Sequence, residues 1–199
     1  MAVRTVFNVL GPLTNPASAP NQVIGVFAKE LVEPVARVLQ KLGSRHVMVV
    51  HADDGMDEIS ISTPTHVAEL KDGEVSCYQI SPQDFGFEAA DIASIRVSGV
   101  QQSLAMIQSV FSNQPGPALN IVCLNAGAAI YVSGLAESHQ AGVEMAQQVI
   151  ADGSAQKVLS DLIYSLPAIL GGLAMLFSFF QHISLKKANY SSMNIVELQ

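Results

Sequence analysis

The chain has 199 residues, 49% of them apolar and 14% charged, enough to bury a real core as one domain or one domain with an appendage. Such a composition excludes an intrinsically disordered protein. Its formal charge of −7, with ten scattered Lys and Arg, excludes a general affinity for nucleic-acid phosphates, which needs clustered cations.

The N-terminus, "MAVRTVFNVLGPLTNPA", lacks the uninterrupted apolar region of a signal peptide because Arg4, Asn8 and Pro12 break it up. A cytoplasmic location is expected. Pro12, Pro16 and Pro20 make residues 1–22 a rigid connection with at most a short helical turn over Val3 to Val9. "QVIGVF" (Gln22 to Phe27) then reads as a buried strand, and "KELVEPVARVLQKLG" places Leu31, Val35, Val38, Leu39 and Leu42 at helical spacing with Gly43 as the stop. "HVMVVH" (His46 to His51) is a second apolar run, too uniform for a half-exposed strand. Strand, helix, strand is the pattern of a parallel crossover, so the expected fold is α/β with a central, mostly parallel sheet flanked by helices.

Directly after this second strand comes "HADDGMDEIS", which puts Asp53, Asp54, Asp57 and Glu58 within six positions. The carboxyl ends of strands are where open α/β sheets place ligands. Further on, "THVAELKDGEVSCYQI" is two alternating runs around Lys71-Asp72-Gly73-Glu74, a hairpin signal, and "SPQDFGF" is a loop. Three helical segments follow: "QQSLAMIQSVF", then Pro117 to about Ser133, then "ESHQAGVEMAQQVIADG" ending at Gly153. Small residues at Ala126, Gly127, Ala128 and Ala129 let the middle helix pack closely against a neighbour. Cys77 and Cys123 sit in apolar stretches without metal-ligand spacing, which reads as two small buried hydrophobes in a reducing compartment.

From Ser154 the pattern changes. "AQKVLSDLIYSL" is still amphipathic, whereas "LPAILGGLAMLFSFFQHISL" (residues 166–185) is apolar all round until Gln181 and His182, a candidate membrane segment interrupted by Pro167 and the Gly171-Gly172 pair. The expected division is therefore an α/β domain over residues 1–162 and an apolar tail over residues 163–199, through which the chain could touch a membrane.

Among these features the acidic loop carries the most chemistry. On a turn, adjacent Asp57 and Glu58 can both reach one cation, and with Gly55 freeing the backbone they supply the hard oxygens that Mg²⁺ uses together with a substrate's phosphates. The other reading of the same residues is a solvated acidic turn that ends a strand. His51 beside the loop could act as a base or as a hydrogen-bonded structural residue. The chain has no H-E-x-x-H pattern, no G-x-S-x-G elbow and no G-x-x-x-x-G-K-[ST] phosphate loop.

In order and spacing, "RTVFNVLGPLTNPA", "QVIGVF", "VVHADDGMDEIS", "PQDFGF" and "LNAGAAIYVSGLA" resemble the C-terminal half of the bacterial anthranilate phosphoribosyltransferases, from about Val3 to about Leu162. The "NVLGPLTNP" segment separates that family from its nucleoside phosphorylase relatives. The resemblance implies the large α/β domain of the nucleoside phosphorylase/phosphoribosyltransferase fold, without the small helical domain. It also implies transfer of phosphoribose from phosphoribosyl pyrophosphate (PRPP) to anthranilate, toward tryptophan. Asp57 and Glu58 take the positions of the family's Mg²⁺-holding pair; no covalent nucleophile is implied, and full-length members dimerise through the helical domain. The family's glycine-rich phosphate loop, its Lys-His-Gly-Asn segment and its anthranilate-contacting arginine have no counterpart in these residues. Two expectations follow: little or no activity for the chain alone, or, as an alternative, a non-catalytic remnant or interaction module that pairs with a separate N-terminal half. In either case the uncovered surface favours association.

Overall fold

The computed structural model describes Leu13 and residues 19–165. Most of the proline-rich segment, including nearly all of "NVLGPLTNP", and the apolar run 166–185 lie outside the described residues. The chain divides into two compact units, Met1–Gly153 and Ser154–Gln199. In the second, residues 154–165 are helical. No helix among the described residues is long and apolar enough to cross a membrane.

The first unit is built on strand β1 (Asn21–Gly25), helix α1 (Val32–Lys41) entered through a short 3-10 turn, strand β2 (His46–Ala52), strands β3 (Thr65–Lys71) and β4 (Glu74–Ile80), and helices α2 (Val100–Phe111), α3 (Pro117–Val132) and α4 (His139–Ala151). The helix expected after the first strand forms, and Gly43 ends it at φ +85°. β1 pairs with β2 in parallel, as expected of strand, helix, strand. The remaining pairings correct the expectation of a mostly parallel sheet: in the order β1-β2-β3-β4, β2 with β3 and β3 with β4 are both antiparallel. The cause is the connections. A parallel return needs a crossover, and neither connection contains one: residues 53–64 are a helix-free acidic loop, and Asp72-Gly73 is a two-residue turn. Both of its residues have positive φ, 52° and 81°, which matches the twist of a tight hairpin.

Val47, Val49, Ala68 and Leu70 form one core cluster with Val35, Ala36 and Leu39 of α1. Alternation along a strand sends Met48 and Val50 to the opposite face, and both are fully buried there too, so β2 is covered on both sides. Burial of each such side chain stabilises by about 1.5–3 kcal/mol. β4, by contrast, is an exposed edge. That placement corrects the reading of Cys77, which is exposed on β4, while Cys123 is buried in α3 as expected. "SPQDFGF" contains a short 3-10 turn over Pro82–Phe85, closed by a capping box between Ser81 and Asp84.

The small residues of α3 do bring a neighbour close. A Cβ on Gly127 would stand 2.6 Å from the Val143 nitrogen of α4, and one on Gly142 would stand 2.2 Å from the Gly127 carbonyl oxygen. At the start of α4, His139 donates from Nε2 to the Leu124 carbonyl at 2.9 Å and packs against Phe85. Its Nδ1 is buried without a hydrogen-bond partner, and burial lowers the His139 pKa below 6.5. The unfolded chain binds a proton there that the folded chain refuses. Stability is therefore complete above pH 6.5 and falls as the pH drops from 6.5 toward the lowered folded value. Urea unfolding at about pH 7.5 and about pH 5.5 is expected to show this loss in the parent chain and much less of it in His139→Gln; equal losses would remove His139 as the cause.

Candidate functional site

The acidic loop leaves the carboxyl end of β2, and the structure separates its four carboxylates. Asp53 accepts a hydrogen bond from His66 Nε2 at 2.7 Å, across the β2–β3 ladder. Asp54 accepts from the Met56 amide at 3.1 Å and from the Ser60 hydroxyl at 2.6 Å, and Ser60 Oγ in turn accepts from the Ser62 amide at 2.9 Å. These two acids are used up in shaping the loop. The Asp57 and Glu58 side chains are exposed and take part in none of the hydrogen bonds or ion pairs found among the described residues. Partial loss of hydration, and then the Asp57 charge beside it, raise the Glu58 pKa above 4.5. A neighbouring cation would act against the second of these causes.

Three backbone contacts fix where the pair stands. Before it, the Met56 carbonyl accepts from the Ala52 amide at 3.0 Å, closing the loop onto the end of β2. At the pair itself, Gly25 of β1 lies so close that a Cβ there would sit 1.6 Å from the Asp57 carbonyl oxygen. After it, Ile59 is buried, and its backbone is held at both polar atoms by one side chain of α3: its N–H donates to Asn125 Oδ1 and its carbonyl accepts from Asn125 Nδ2, each at 2.9 Å. Asn125 Nδ2 also donates to the Ile121 carbonyl at 3.0 Å. Gly25→Ala is expected to displace the loop and to cost about 1–3 kcal/mol, the range for overpacking. An undisturbed thermal midpoint in that variant would show that the close approach is dispensable.

His51, the other residue singled out beside the loop, uses Nδ1 to bond the Val26 carbonyl at 2.7 Å. It ties β2 to the chain leaving β1, a structural role in which Nδ1 donates to the carbonyl.

A second polar cluster lies toward the other end of β2. Nearly buried Glu69 accepts from His46 Nε2 (2.8 Å), the Tyr131 hydroxyl (2.7 Å) and the Tyr78 hydroxyl (2.8 Å), and Lys71 Nζ donates to Tyr131 at 3.1 Å. Burial alone would raise the Glu69 pKa, but the hydrogen bonds from Tyr131, His46 and Tyr78 outweigh it and hold the pKa below 4.5. Its contribution to stability is thus lost only as the pH falls below 4.5, whereas the loss at His139 begins at 6.5. Helix α3 is therefore bound to the acidic loop by Asn125 at its middle and to the sheet by Tyr131 near its C-terminal end.

Sequence reasoning singled out Asp57 and Glu58 but missed Gly25 and Asn125. Each left a signal: a glycine inside a strand pattern marks a close approach of backbone, and Asn125 is one of two asparagines, with Asn120, in a helix made mostly of apolar residues.

An exposed pair of adjacent carboxylates at the end of a buried strand offers hard oxygen atoms to a divalent cation. Among the described residues no three His, Cys, Asp or Glu side chains converge on one point, and an ion held by one or two carboxylates needs water or a ligand's oxygens to complete its shell. The fold is thus that of an α/β domain whose sheet carries an exposed acidic loop at the carboxyl end of β2. The chain belongs to the glycosyl transferase family, a/b domain, whose sequence model matches residues 1–156.

Among its relatives, the anthranilate phosphoribosyltransferase of Thioalkalivibrio sulfidiphilus is 62% identical over 163 residues, covering 82% of this chain and 48% of the relative. That of Methylococcus capsulatus is 56% identical over 162 residues, covering 81% and 48%. The crystal structure of anthranilate phosphoribosyltransferase from Thermus thermophilus superposes with a TM-score of 0.76 at 35% identity, covering 83% of this chain and 49% of that one. The Saccharomyces cerevisiae enzyme in complex with PRPP and Mg gives 0.73 at 26% identity, with 83% and 48% covered. The chain spans about half the length of the curated relatives it matches.

Proposed function

We propose that this chain carries the metal-holding part of an anthranilate phosphoribosyltransferase, a pentosyltransferase acting on PRPP and anthranilate. The observation that carries this reading is the division of labour in the acidic loop: Asp53 and Asp54 are consumed by His66, Met56 and Ser60, while Asp57 and Glu58 remain available. The identity to enzymes of that name and the PRPP and Mg in one neighbouring structure support it. In this reading residues 1–162 form the α/β portion and residues 163–199 an appendage, in a cytoplasmic enzyme whose full-length form is a homodimer.

Asp57 and Glu58 would hold Mg²⁺ through their carboxylate oxygens. When bound, the ion supplies charge neutralisation for the departing pyrophosphate, worth several kcal/mol in metal-assisted catalysis. The residues of this chain then do two things. They keep two negative charges at a fixed point beyond the end of β2, and they orient them by locking the flanking peptides to Ala52, Gly25 and Asn125. The amine of anthranilate is neutral near pH 7 and already nucleophilic, so positioning the two reactants and screening charge meet most of the remaining requirement.

Calorimetric titration of PRPP into the chain, with and without Mg²⁺, tests the reading: binding that depends on the metal is expected, and binding indifferent to it would refute the assignment. Turnover of PRPP and anthranilate by these 199 residues alone is expected to stay near the no-enzyme control, because the family's phosphate loop and anthranilate-contacting arginine have no counterpart among them. Substantial turnover would overturn that expectation.

A further inference from the structure

Asn125 is 66 positions from Ile59 along the chain, yet its carboxamide forms a two-point pair with the Ile59 backbone, with Oδ1 accepting from N–H and Nδ2 donating to C=O. Ile59 directly follows Glu58 and is itself buried. The amide plane of Asn125 is in turn fixed, because Nδ2 also bonds the Ile121 carbonyl one turn earlier in α3. A side chain whose two ends match the donor and acceptor of one residue's backbone sets both the position and the rotation of that backbone. The direction in which the Glu58 side chain leaves the backbone follows from it.

The loop's other hydrogen bonds lie before the pair or further beyond it, and the Gly25 approach to Asp57 is a steric contact. Ala52 holds Met56, and the Ser60 amide donates to Thr65 Oγ1 at 3.1 Å. Between Glu58 and Ser60, Asn125 is the side chain that ties the loop to a helix. That helix is bound elsewhere through Tyr131 and Glu69, so the restraint comes from a fixed element. A carboxylate pair that binds a cation gains affinity when it is held ready in the bound geometry.

We infer that Asn125 is a positioning residue for the metal-holding pair: its clamp on the peptide after Glu58 lets α3 decide where the Asp57 and Glu58 carboxylates stand. The inference rests on the reading of Asp57 and Glu58 as the metal site, and the experiment separates the two. Metal-dependent PRPP affinity is measured by calorimetry, with Mg²⁺ and again with Mn²⁺, in the parent chain, Asn125→Ala, Asn125→Ser, and each of these combined with Asp57→Asn/Glu58→Gln. Asn125→Ser keeps a small polar group able to bond back to Ile121, and it decides the question where Asn125→Ala does not fold.

The expected result is a drop of about tenfold in metal-dependent affinity on loss of the clamp, with metal-independent affinity unchanged. No further drop is expected when the pair is already neutralised, the mark of residues acting through one another. Amide exchange at Ile59 is expected to accelerate in the same variants. A folded Asn125 variant with parental metal-dependent affinity overturns the inference and leaves the Asp57–Glu58 reading intact. Absence of metal-dependent binding in the parent chain, or its persistence in Asp57→Asn/Glu58→Gln, overturns both.

Discussion

Asp57→Asn/Glu58→Gln is expected to abolish the metal-dependent component of PRPP binding, a weakening of roughly a hundredfold or more, while leaving the thermal midpoint unchanged or slightly raised. The two halves of this result have one cause. Neither carboxylate contributes a hydrogen bond or ion pair among the described residues, so neutralising them removes no support from the fold. Partial loss of hydration, and then the Asp57 charge, raise the Glu58 pKa above 4.5, and removing both charges relieves the repulsion between them. With a bound cation the same two charges become the attraction, since unlike charges at contact distance reverse the sign of the interaction. Asp53→Asn and Asp54→Asn are expected to behave in the opposite way. They should lower stability by removing the charge from the acceptors of His66, Met56 and Ser60 and, at Asp54, one of its two acceptor oxygens, and affect metal dependence only through the loop. Equal metal dependence in the parent and the double variant would remove Asp57 and Glu58 from the site.

Gly142→Ala is expected to lower the thermal midpoint by roughly 4–8 °C, from a net loss of about 2 kcal/mol in a domain of this size. In an isolated helix the same change would stabilise by about 1 kcal/mol through propensity. The sign reverses because the new Cβ would stand 2.2 Å from the Gly127 carbonyl oxygen, a backbone atom that no rotamer change can move aside. Separation of α4 from α3 is the remaining response, and it would also expose Val143 and Ala146, which are buried in the parent. Circular dichroism melts of the two chains measure the effect, and a midpoint equal to or above the parent's would show that the helices part without cost. Since α3 also carries Asn125, a shift of that helix is expected to reach the acidic loop.

How far the sequence could be read depended on the distance over which each feature is decided. The β3–β4 hairpin was legible because Asp72-Gly73 supplies the backbone twist locally, and the buried character of β2 was legible because an unbroken apolar run needs cover on both faces. The end of α1 at Gly43 and the close packing of α3 through its small residues were legible on the same local terms. The direction of β3 was not, since strand, helix, strand speaks for β1 and β2 alone and the return of the chain depends on what fills residues 53–64. Cys77 was misread because an alternating strand at a sheet edge has the same composition as one inside it.

For the acidic loop, the sequence by itself determined that four carboxylates follow a buried strand, and the adjacency of Asp57 and Glu58, then the resemblance, directed attention to that pair. Only the tertiary structure decided that Asp53 and Asp54 are spent on His66, Met56 and Ser60, and that the other pair is left open between Gly25 and the Asn125 clamp. The physical reason is that carboxylates are chemically alike until their partners are known. Here the restraints on the loop come from a strand that precedes it and from a helix that begins at Pro117, and no local pattern records which of those residues will meet.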